Sequence, residues 1–268
     1  MNNILQMQGI PLELRRAFSE IGSLAIPFGT PVNAVASTAT IAAADIAIVA
    51  ADDKVVFGGV DYVKKAVPDA GKGEWDNAAA LAALLNVVPG WDAAVDNGAV
   101  VITAAIRGVF SNGNIVTVEV LEDTTAGGDG AGTEAMATIA AATIARLANG
   151  DTVEFGGAIF TKAAVTSVSA GEFANAAGLI QCIDGMDDWA AADNAGAIDI
   201  TAVTDAVDFN GIDITVLLYR TTAGGRDGTP GFRGAVCCDV SYIYVCTATD
   251  ETIQNNNWER LANQLVTF

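Results

Sequence analysis

The sequence contains no histidine, only four cysteines, and 13 basic residues against 32 acidic ones. Without histidine, the chain lacks the usual general base, the commonest metal ligand and the usual pH-sensitive side chain. A formal net charge of −19 disfavours nucleic-acid binding, which depends on a basic face, and disfavours attachment to anionic membranes. These shortages predict a protein that is not an enzyme and that has no cofactor or metal ion.

The four cysteines lack the spacing of a metal site. They are Cys182, Cys237, Cys238 and Cys246, and no C-x-x-C pair occurs. Neighbouring residues of a strand point to opposite faces, so Cys237 and Cys238 are poorly placed to share a metal ion. Reduced cysteines are the favoured interpretation, with a disulfide from Cys237 or Cys238 to Cys246 as the alternative. The acidic loops lack the spacing of a calcium loop and are predicted to be solvated.

No signal peptide or membrane span is expected. The N-terminus lacks a basic start followed by an apolar run. The most apolar stretch, residues 32–51, contains Asp45, and the corresponding stretch later in the chain contains Arg146. We therefore interpret both stretches as buried strands.

An internal duplication is the main positive feature of the sequence. Shifting the chain by 98 positions aligns two blocks almost without gaps. Ala39–Ala44 repeats as Ala137–Ala142, Trp91 falls on Trp189, and the blocks close with TTAGGDG and TTAGGRDG. A near-gapless period of this length predicts two copies of one small domain rather than a solenoid. The predicted segments are an N-terminal helix and arm (1–37), repeat domain 1 (38–130), a linker with repeat domain 2 (131–228), and a C-terminal β-hairpin segment (229–268).

Each copy is predicted to be a small α+β domain, an antiparallel sheet with one helix packed on a face. The predicted elements are a first strand at 39–49 (137–147), a hairpin around Gly58-Gly59 (Gly156-Gly157), a helix at 74–85 (172–183), and strands at 91–95, 99–106 and 115–122. The Gly-Gly pairs suit a two-residue hairpin turn, which needs positive φ. Asn112-Gly113 and Asn210-Gly211 are expected to form turns between the last two strands. Trp91 and Trp189 are interpreted as core anchors, with a ligand platform as the alternative.

The two flanks are the candidate interaction segments. Residues 3–22 are typical of an amphipathic helix, and 26–35 of an extended arm. The basic pair in this helix is either a solvated face or an anchor for an acidic partner. The candidate anchor residues are Leu5, Ile10, Leu12, Leu14, Arg15, Arg16 and Phe18. The candidate oligomer and cap residues at the other end are Tyr242, Tyr244, Trp258, Arg260 and Phe268.

Three stretches resemble proteins of tailed-bacteriophage particles. The hairpin-then-helix pattern GDTVEFGGAIFTKA is similar to small domains of phage virion proteins, and GTPVNAVASTATI looks like the segment that leads into them. The ending SYIYVCTATD…NNNWERLA resembles a C-terminal hairpin of fibre-like and decoration-like proteins, with ETIQNN lengthening the loop before Trp258. Together these stretches cover most of the chain beyond residue 29.

This resemblance implies a non-enzymatic virion structural protein, assembled in the host cytoplasm. A capsid decoration protein or head fibre attached through its N-terminal arm is the first expectation, and a tail, neck or tail-fibre component is the close variant. Expected partners are the major capsid protein or tail and neck proteins, and a homo-oligomer, with a trimer favoured. A module that binds a host-surface carbohydrate or protein is the alternative from another class, and exposed Tyr242, Tyr244 and Trp258 would favour it.

Overall fold

The computed structural model describes residues 34–123, 134–203, 209–226, 236–238, 243–246 and 258–260. One compact unit is Val35–Arg226, and three short strands near the C-terminus belong to another. The described residues form an α+β structure that is mostly sheet, with four short helices. The predicted α+β class is therefore confirmed. The predicted helix at 3–22 and the arm at 26–35 lie almost wholly outside the described residues.

The first half of the compact unit contains seven strands and two helices. They are β1 (Thr38–Ile41), α1 (Ala43–Ile48), β2 (Lys54–Phe57), β3 (Val60–Lys64), β4 (Glu74–Trp75), α2 (Ala78–Leu85), β5 (Trp91–Asp96), β6 (Ala99–Ala104) and β7 (Ile115–Asp123). The second half has the same order of elements. They are β8 (Met136–Ile139), α3 (Ala141–Ile144), β9 (Thr152–Phe155), β10 (Ala158–Lys162), β11 (Glu172–Phe173), α4 (Ala176–Asp184), β12 (Trp189–Asn194), β13 (Ala197–Ala202) and β14 (Asp213–Thr221).

One eight-stranded sheet runs through both halves, in the order β11-β10-β9-β14-β7-β2-β3-β4. Each half also has a three-stranded sheet, β1-β6-β5 in the first and β12-β13-β8 in the second. All strand pairs in these sheets are antiparallel except β3 with β4 and β10 with β11. The two halves are therefore joined by main-chain hydrogen bonds between β7 and β14.

The pairing of β7 with β14 has the register of an approximate two-fold axis. Glu119 lies opposite Leu217, which is its own counterpart in the other half. Val118 lies opposite Leu218, the counterpart of Val120. A patch that pairs with its own equivalent is the arrangement found in symmetric dimers, although here both patches belong to one chain.

One apolar core extends through the unit. Alternate residues of β2, β7, β9 and β14 point inwards, and the side chains of Val55, Val118 and Val216 are completely buried. Helix α2 packs on β5 and β6 through Leu81 and Leu85, which are also completely buried. Every helix and sheet of the unit thereby shares the same buried cluster.

The prediction of one strand over 39–49 is wrong beyond Ile41. β1 ends at Ile41, and α1 follows. The Asp45 carboxylate accepts a hydrogen bond from the backbone N–H of Ala42 (3.3 Å), which satisfies a donor at the helix start. The alanines suit a helix at least as well as a strand. The second half repeats the switch, since α3 follows β8.

The predicted helix at 74–85 begins later than expected. Glu74 and Trp75 form the short strand β4, and the helix begins after Asn77. The Asn77 side chain accepts from the N–H groups of Ala79 and Ala80, both at 3.0 Å, so this residue is the N-cap. Asn175 caps α4 in the same way.

The prediction of one antiparallel sheet in each copy is also wrong in its arrangement. The strands at 99–104 and 115–123 belong to different sheets, so Asn112-Gly113 does not join neighbouring strands. The hairpin around Gly58-Gly59 is confirmed, with φ of 62° and 78° at the two glycines. The hairpin at Gly156-Gly157 is confirmed likewise.

The C-terminal segment contains β15 (Val236–Cys238), β16 (Ile243–Cys246) and β17 (Trp258–Arg260). β15 and β16 form the predicted antiparallel hairpin. β17 pairs antiparallel with β16 as a third strand. The sequence analysis did not predict this strand, which follows a polar stretch of sequence.

Candidate functional site

The candidate site is a buried charge cluster between the two halves of the compact unit. Asp45 in α1 is completely buried. Its two carboxylate oxygens accept hydrogen bonds from Nε of Arg146 (2.7 Å) and Nε of Arg220 (3.0 Å). Arg220 Nη1 also reaches both carboxylate oxygens of Asp151, at 3.4 Å each. Asp45 of the first half thus forms ion pairs with two arginines of the second half.

The two arginines determine the ionisation of Asp45. Burial alone would raise the pKa of this carboxyl group, but the hydrogen bonds from Arg220 and Arg146 outweigh burial and hold the pKa below its usual value. Burial likewise opposes the charge on Arg220, but its hydrogen bond to Asp45 raises its pKa. Asp45 and Arg220 are therefore both charged near neutral pH.

Asp53 and Asp151 occupy equivalent positions, and their carboxylates accept hydrogen bonds from the long central strands β7 and β14. Asp53 accepts from the backbone N–H of Leu121 (2.9 Å), and Asp151 accepts from that of Tyr219 (2.8 Å). Each also accepts from the N–H three residues before it. Burial raises the pKa of Asp53, and its hydrogen bonds from Leu121 and Ala50 offset only part of that effect.

Apart from Asp151, the charges of the cluster are not repeated in the other half. The counterparts of Asp45, Arg146 and Arg220 are respectively Thr143, Ile48 and Glu122. The sequence alone does not reveal the cluster, because Asp45 and Arg146 each stand as a single charge within an apolar stretch. The available signal was that charged residues replace neutral or opposite ones at matched positions of two similar blocks.

A second set of contacts joins the halves at one edge. Thr38 and Ala223 exchange backbone hydrogen bonds of 2.8 Å in both directions. The Asn112 side chain donates to Gly225 O (3.0 Å) and accepts from Gly225 N–H (2.9 Å). Thr222 is buried, and its hydroxyl donates to Ser111 O (2.5 Å). These contacts tie the end of the second half to the first.

The predicted anchor residues and two of the predicted cap residues cannot be placed. Leu5, Ile10, Leu12, Leu14, Arg15, Arg16, Phe18, Tyr242 and Phe268 lie outside the described residues. Of the remaining cap residues, Tyr244 is in β16, opposite Arg260 of β17, and Cys246 lies opposite Trp258. The Tyr244 side chain is 9% exposed.

The two matched tryptophans are packed against phenylalanines. Trp91 meets Phe57 edge-on at 5.1 Å between ring centroids, and Trp189 meets Phe155 at 4.7 Å. These contacts favour the interpretation as core anchors over that of a ligand platform. The Cys182 thiol is buried, and burial raises its pKa.

No group of three or more potential metal ligands occurs among the residues that the structure describes. Within the same residues, no helix is long and apolar enough to cross a membrane. Comparison of the chain with family models, curated proteins and solved structures found no match.

Proposed function

We propose that this chain is a non-enzymatic structural component of a tailed-bacteriophage particle. A capsid decoration protein or head fibre attached through the N-terminal segment is the specific form of the proposal, and a tail, neck or tail-fibre position is its variant. In this proposal the two duplicated halves form one structural body of the particle protein, and the ends of this body, Val35 and Arg226, are joined by main-chain hydrogen bonds.

The continuous eight-stranded sheet is the observation that carries the proposal. Both halves contribute four strands to it, and β7 and β14 pair along nine residues each. The buried Asp45 cluster and the Asn112–Gly225 contacts add further connections between the halves. A structural component of a particle must keep its shape, and this continuous bonding resists bending between the halves. The sequence resemblance to virion proteins supports the proposal that the chain belongs to a phage particle.

Immunogold electron microscopy of virus particles, with antibody raised against the folded unit, tests the proposal. Label spread over heads is the result expected for a decoration protein or head fibre. Label confined to the tail or neck would support the variant position. Mass spectrometry of purified particles serves as the control for the antibody. If it detects the protein but denatured particles bind no label, the antibody is at fault. Particles that lack the protein altogether would overturn the proposal.

A full-length Arg15→Glu/Arg16→Glu variant extends this test to the attachment segment. If the basic pair docks on an acidic shell, this variant stays off particles, whereas Arg15→Lys/Arg16→Lys binds because it keeps both charges. Equal binding of both variants would leave the particle location intact and remove the basic pair from the attachment.

The burial of Tyr244 bears on the alternative of a host-surface binding module. An open aromatic groove needs exposed rings, and Tyr244 is largely covered. The alternative therefore depends on Tyr242 and Trp258 and is not the proposal favoured by the described residues.

A further inference from the structure

The eight-stranded sheet has an outer face, formed by the side chains that point away from the core. They alternate along each strand with the inward side chains that fill the buried cluster. On β10 the outward side chain of Ile159 is 60% exposed, and on β7 that of Leu121 is 38% exposed. Side chains exposed to this extent have no described element packed over them, so this part of the sheet faces solvent.

In the first half the outer face carries a network of ion pairs. Lys54 Nζ on β2 lies 3.2 Å from a carboxylate oxygen of Asp61 on β3 and 3.3 Å from one of Glu119 on β7. Paired charges of this kind suit the solvated side of an antiparallel sheet.

The second half replaces all three charges of this network by neutral side chains. The respective counterparts of that lysine, aspartate and glutamate are Thr152, Ile159 and Leu217. Strand pairing groups these residues, because Thr152 lies opposite both Leu217 and Thr161, and Ile159 is two residues from Thr161 on β10. Three matched replacements that all remove charge indicate that this half of the outer face has different surroundings.

Two further residues extend the neutral area. Leu121 and Thr215 lie opposite each other in β7 and β14, and Thr215 is the outward neighbour of Leu217. We name Leu121, Thr152, Ile159, Thr161, Thr215 and Leu217 the neutral face. Glu154, opposite Ile159 and Thr215, brings a negative charge into it. Thr215 and Leu217 lie near the start of β14, whereas the compact unit ends at Arg226, beyond the other end of that strand.

The size of the sheet favours a second copy of the chain as the partner of this face. Two sheets of the same twist pack face to face at about 30° between their strand directions, and two copies of one sheet meet that condition. Strands lie about 4.8 Å apart, so the eight strands make a face about 40 Å wide. Contact over that width can bury the roughly 800 Å² per partner of a standard interface.

The charge of the chain favours the neutral face as the place of contact. Two copies of a chain with a net charge of −19 repel each other. The repulsion is weakest where charged side chains are replaced by neutral ones, as Thr152, Ile159 and Leu217 are here. Threonine and isoleucine are also β-branched and stiff, which favours a flat surface on a sheet.

We propose that the neutral face of one chain packs on the neutral face of a second copy. The same residues contribute from both sides, so the contact is isologous and closes at two copies. Ile159, Leu217 and Leu121 lose exposed apolar area in the contact, which supplies the driving force. The inference goes beyond the proposed function and does not depend on it, because it concerns self-association in solution.

Light scattering of the full-length chain over a range of concentrations tests the proposal. Wild type is expected to self-associate. Thr152→Lys/Ile159→Asp/Leu217→Glu gives the second half the ion pairs of the first and is expected to weaken the association about tenfold or more. Any oligomer formed through other surfaces is common to both proteins, so the difference between them measures this contact.

The reverse exchange is the second arm of the test. Lys54→Thr/Asp61→Ile/Glu119→Leu gives the first half the neutral residues of the second. It extends the neutral face across the sheet and is expected to strengthen the association.

Val67→Asp is the matched control. It makes the same change in net charge as the first threefold variant, and it removes an 88% exposed apolar side chain from a position outside the neutral face. It is expected to associate like wild type. Melting curves verify that every variant is folded, and Ile159→Asp alone replaces the first threefold variant if that variant is unfolded.

Four results would overturn the proposal. They are a wild-type mass that does not change with concentration, equal association of wild type and the first threefold variant, loss of association in the control, and a folded reverse variant that associates no more tightly than wild type.

Discussion

At the scale of single residues, the most consequential side chain is the Asp45 carboxylate. It is buried without access to water and is surrounded by two guanidinium groups. Breaking a buried ion pair on one side leaves a buried charge uncompensated, which costs more than the pair itself contributes. Exposed pairs such as Lys54 with Asp61 lack this sensitivity, because water replaces the lost partner.

Asp45→Asn is expected to lower the free energy of unfolding by about 3 kcal/mol, since Arg146 and Arg220 lose their shared counter-charge. Urea denaturation measures this change. Asp61→Asn is the matched control, and its expected effect is below about 1 kcal/mol. Equal effects of the two substitutions would show that the cluster contributes no more than a surface ion pair.

Comparison of wild type with Asp45→Asn also measures how the stabilisation by Asp45 depends on pH. The pKa of Asp45 is lowered by folding, so its stabilising contribution is complete above the ordinary value of 3.8 and is lost as pH falls through the lower, folded value. The difference in stability between wild type and Asp45→Asn is therefore constant from pH 7 down to the region of that ordinary value and shrinks in more acid solution. A difference that grows on acidification would contradict this assignment.

The sequence shows the charged residues of this cluster but does not show that they lie close together in the fold. Asp45 is separated from Arg146 and Arg220 by long stretches of chain, so no local pattern links them. Only the fold brings them together. The departures from the repeat at these three positions were a usable signal, because such substitutions between similar copies mark places where the copies have different surroundings.

At the scale of elements, the second-half helix α4 differs from α2 at one position that affects packing. Gly178 occupies the place of Ala80, and a Cβ atom added there would lie 2.5 Å from Thr166 Oγ1. That hydroxyl is held in place, because it accepts a hydrogen bond from the N–H of Ala174 at 3.0 Å. In the first half, Pro68 stands at the position of Thr166.

Gly178→Ala is therefore expected to destabilise the protein, although alanine is favoured over glycine in helices by up to about 1 kcal/mol. Thr166→Ala removes the opposing hydroxyl, so the double variant is expected to be more stable than the two single effects predict, with a coupling of about 0.5 kcal/mol or more. A double-mutant cycle from thermal melts measures this coupling. Strictly additive effects would rule out the steric explanation.

Elements fixed by local chemistry were predictable, and elements fixed by tertiary contacts were not. The hairpin at Gly58-Gly59 was found because positive φ at both positions suits glycine. The strand predicted over 39–49 is wrong beyond Ile41, because alanine is a strong helix former and the Asp45 carboxylate accepts a hydrogen bond from the Ala42 N–H at the start of α1. Glu74 and Trp75 matched a helix start, but pairing with β3 makes them a strand.

At the scale of the whole molecule, the sheet shared by both halves predicts joint unfolding. Leu81 and Leu179 are equivalent core residues of α2 and α4, and both are completely buried. Leu81→Ala and Leu179→Ala are each expected to lower the free energy of unfolding by about 2–5 kcal/mol. Because β7 and β14 are paired, either substitution is expected to lower a single unfolding transition of the unit. Calorimetry measures the transition, and hydrogen exchange at β2 and β9 shows whether both halves open together.

Two separate transitions, with only one shifted by each substitution, would contradict this expectation. That result would instead support the independent repeat domains, 38–130 and 131–228, that the sequence predicts. The sequence revealed the duplication through matched residues. It could not reveal the sheet order, because strand pairing between halves leaves no periodic pattern along the chain.

The reciprocal register of β7 and β14 has a consequence for survival on dilution. Two separate polypeptides joined by one such strand pair would drift apart once their concentration fell below the dissociation constant. Here both strands belong to one chain, which holds each at a high effective concentration near the other. The β7–β14 pairing therefore forms again after every opening, whatever the protein concentration.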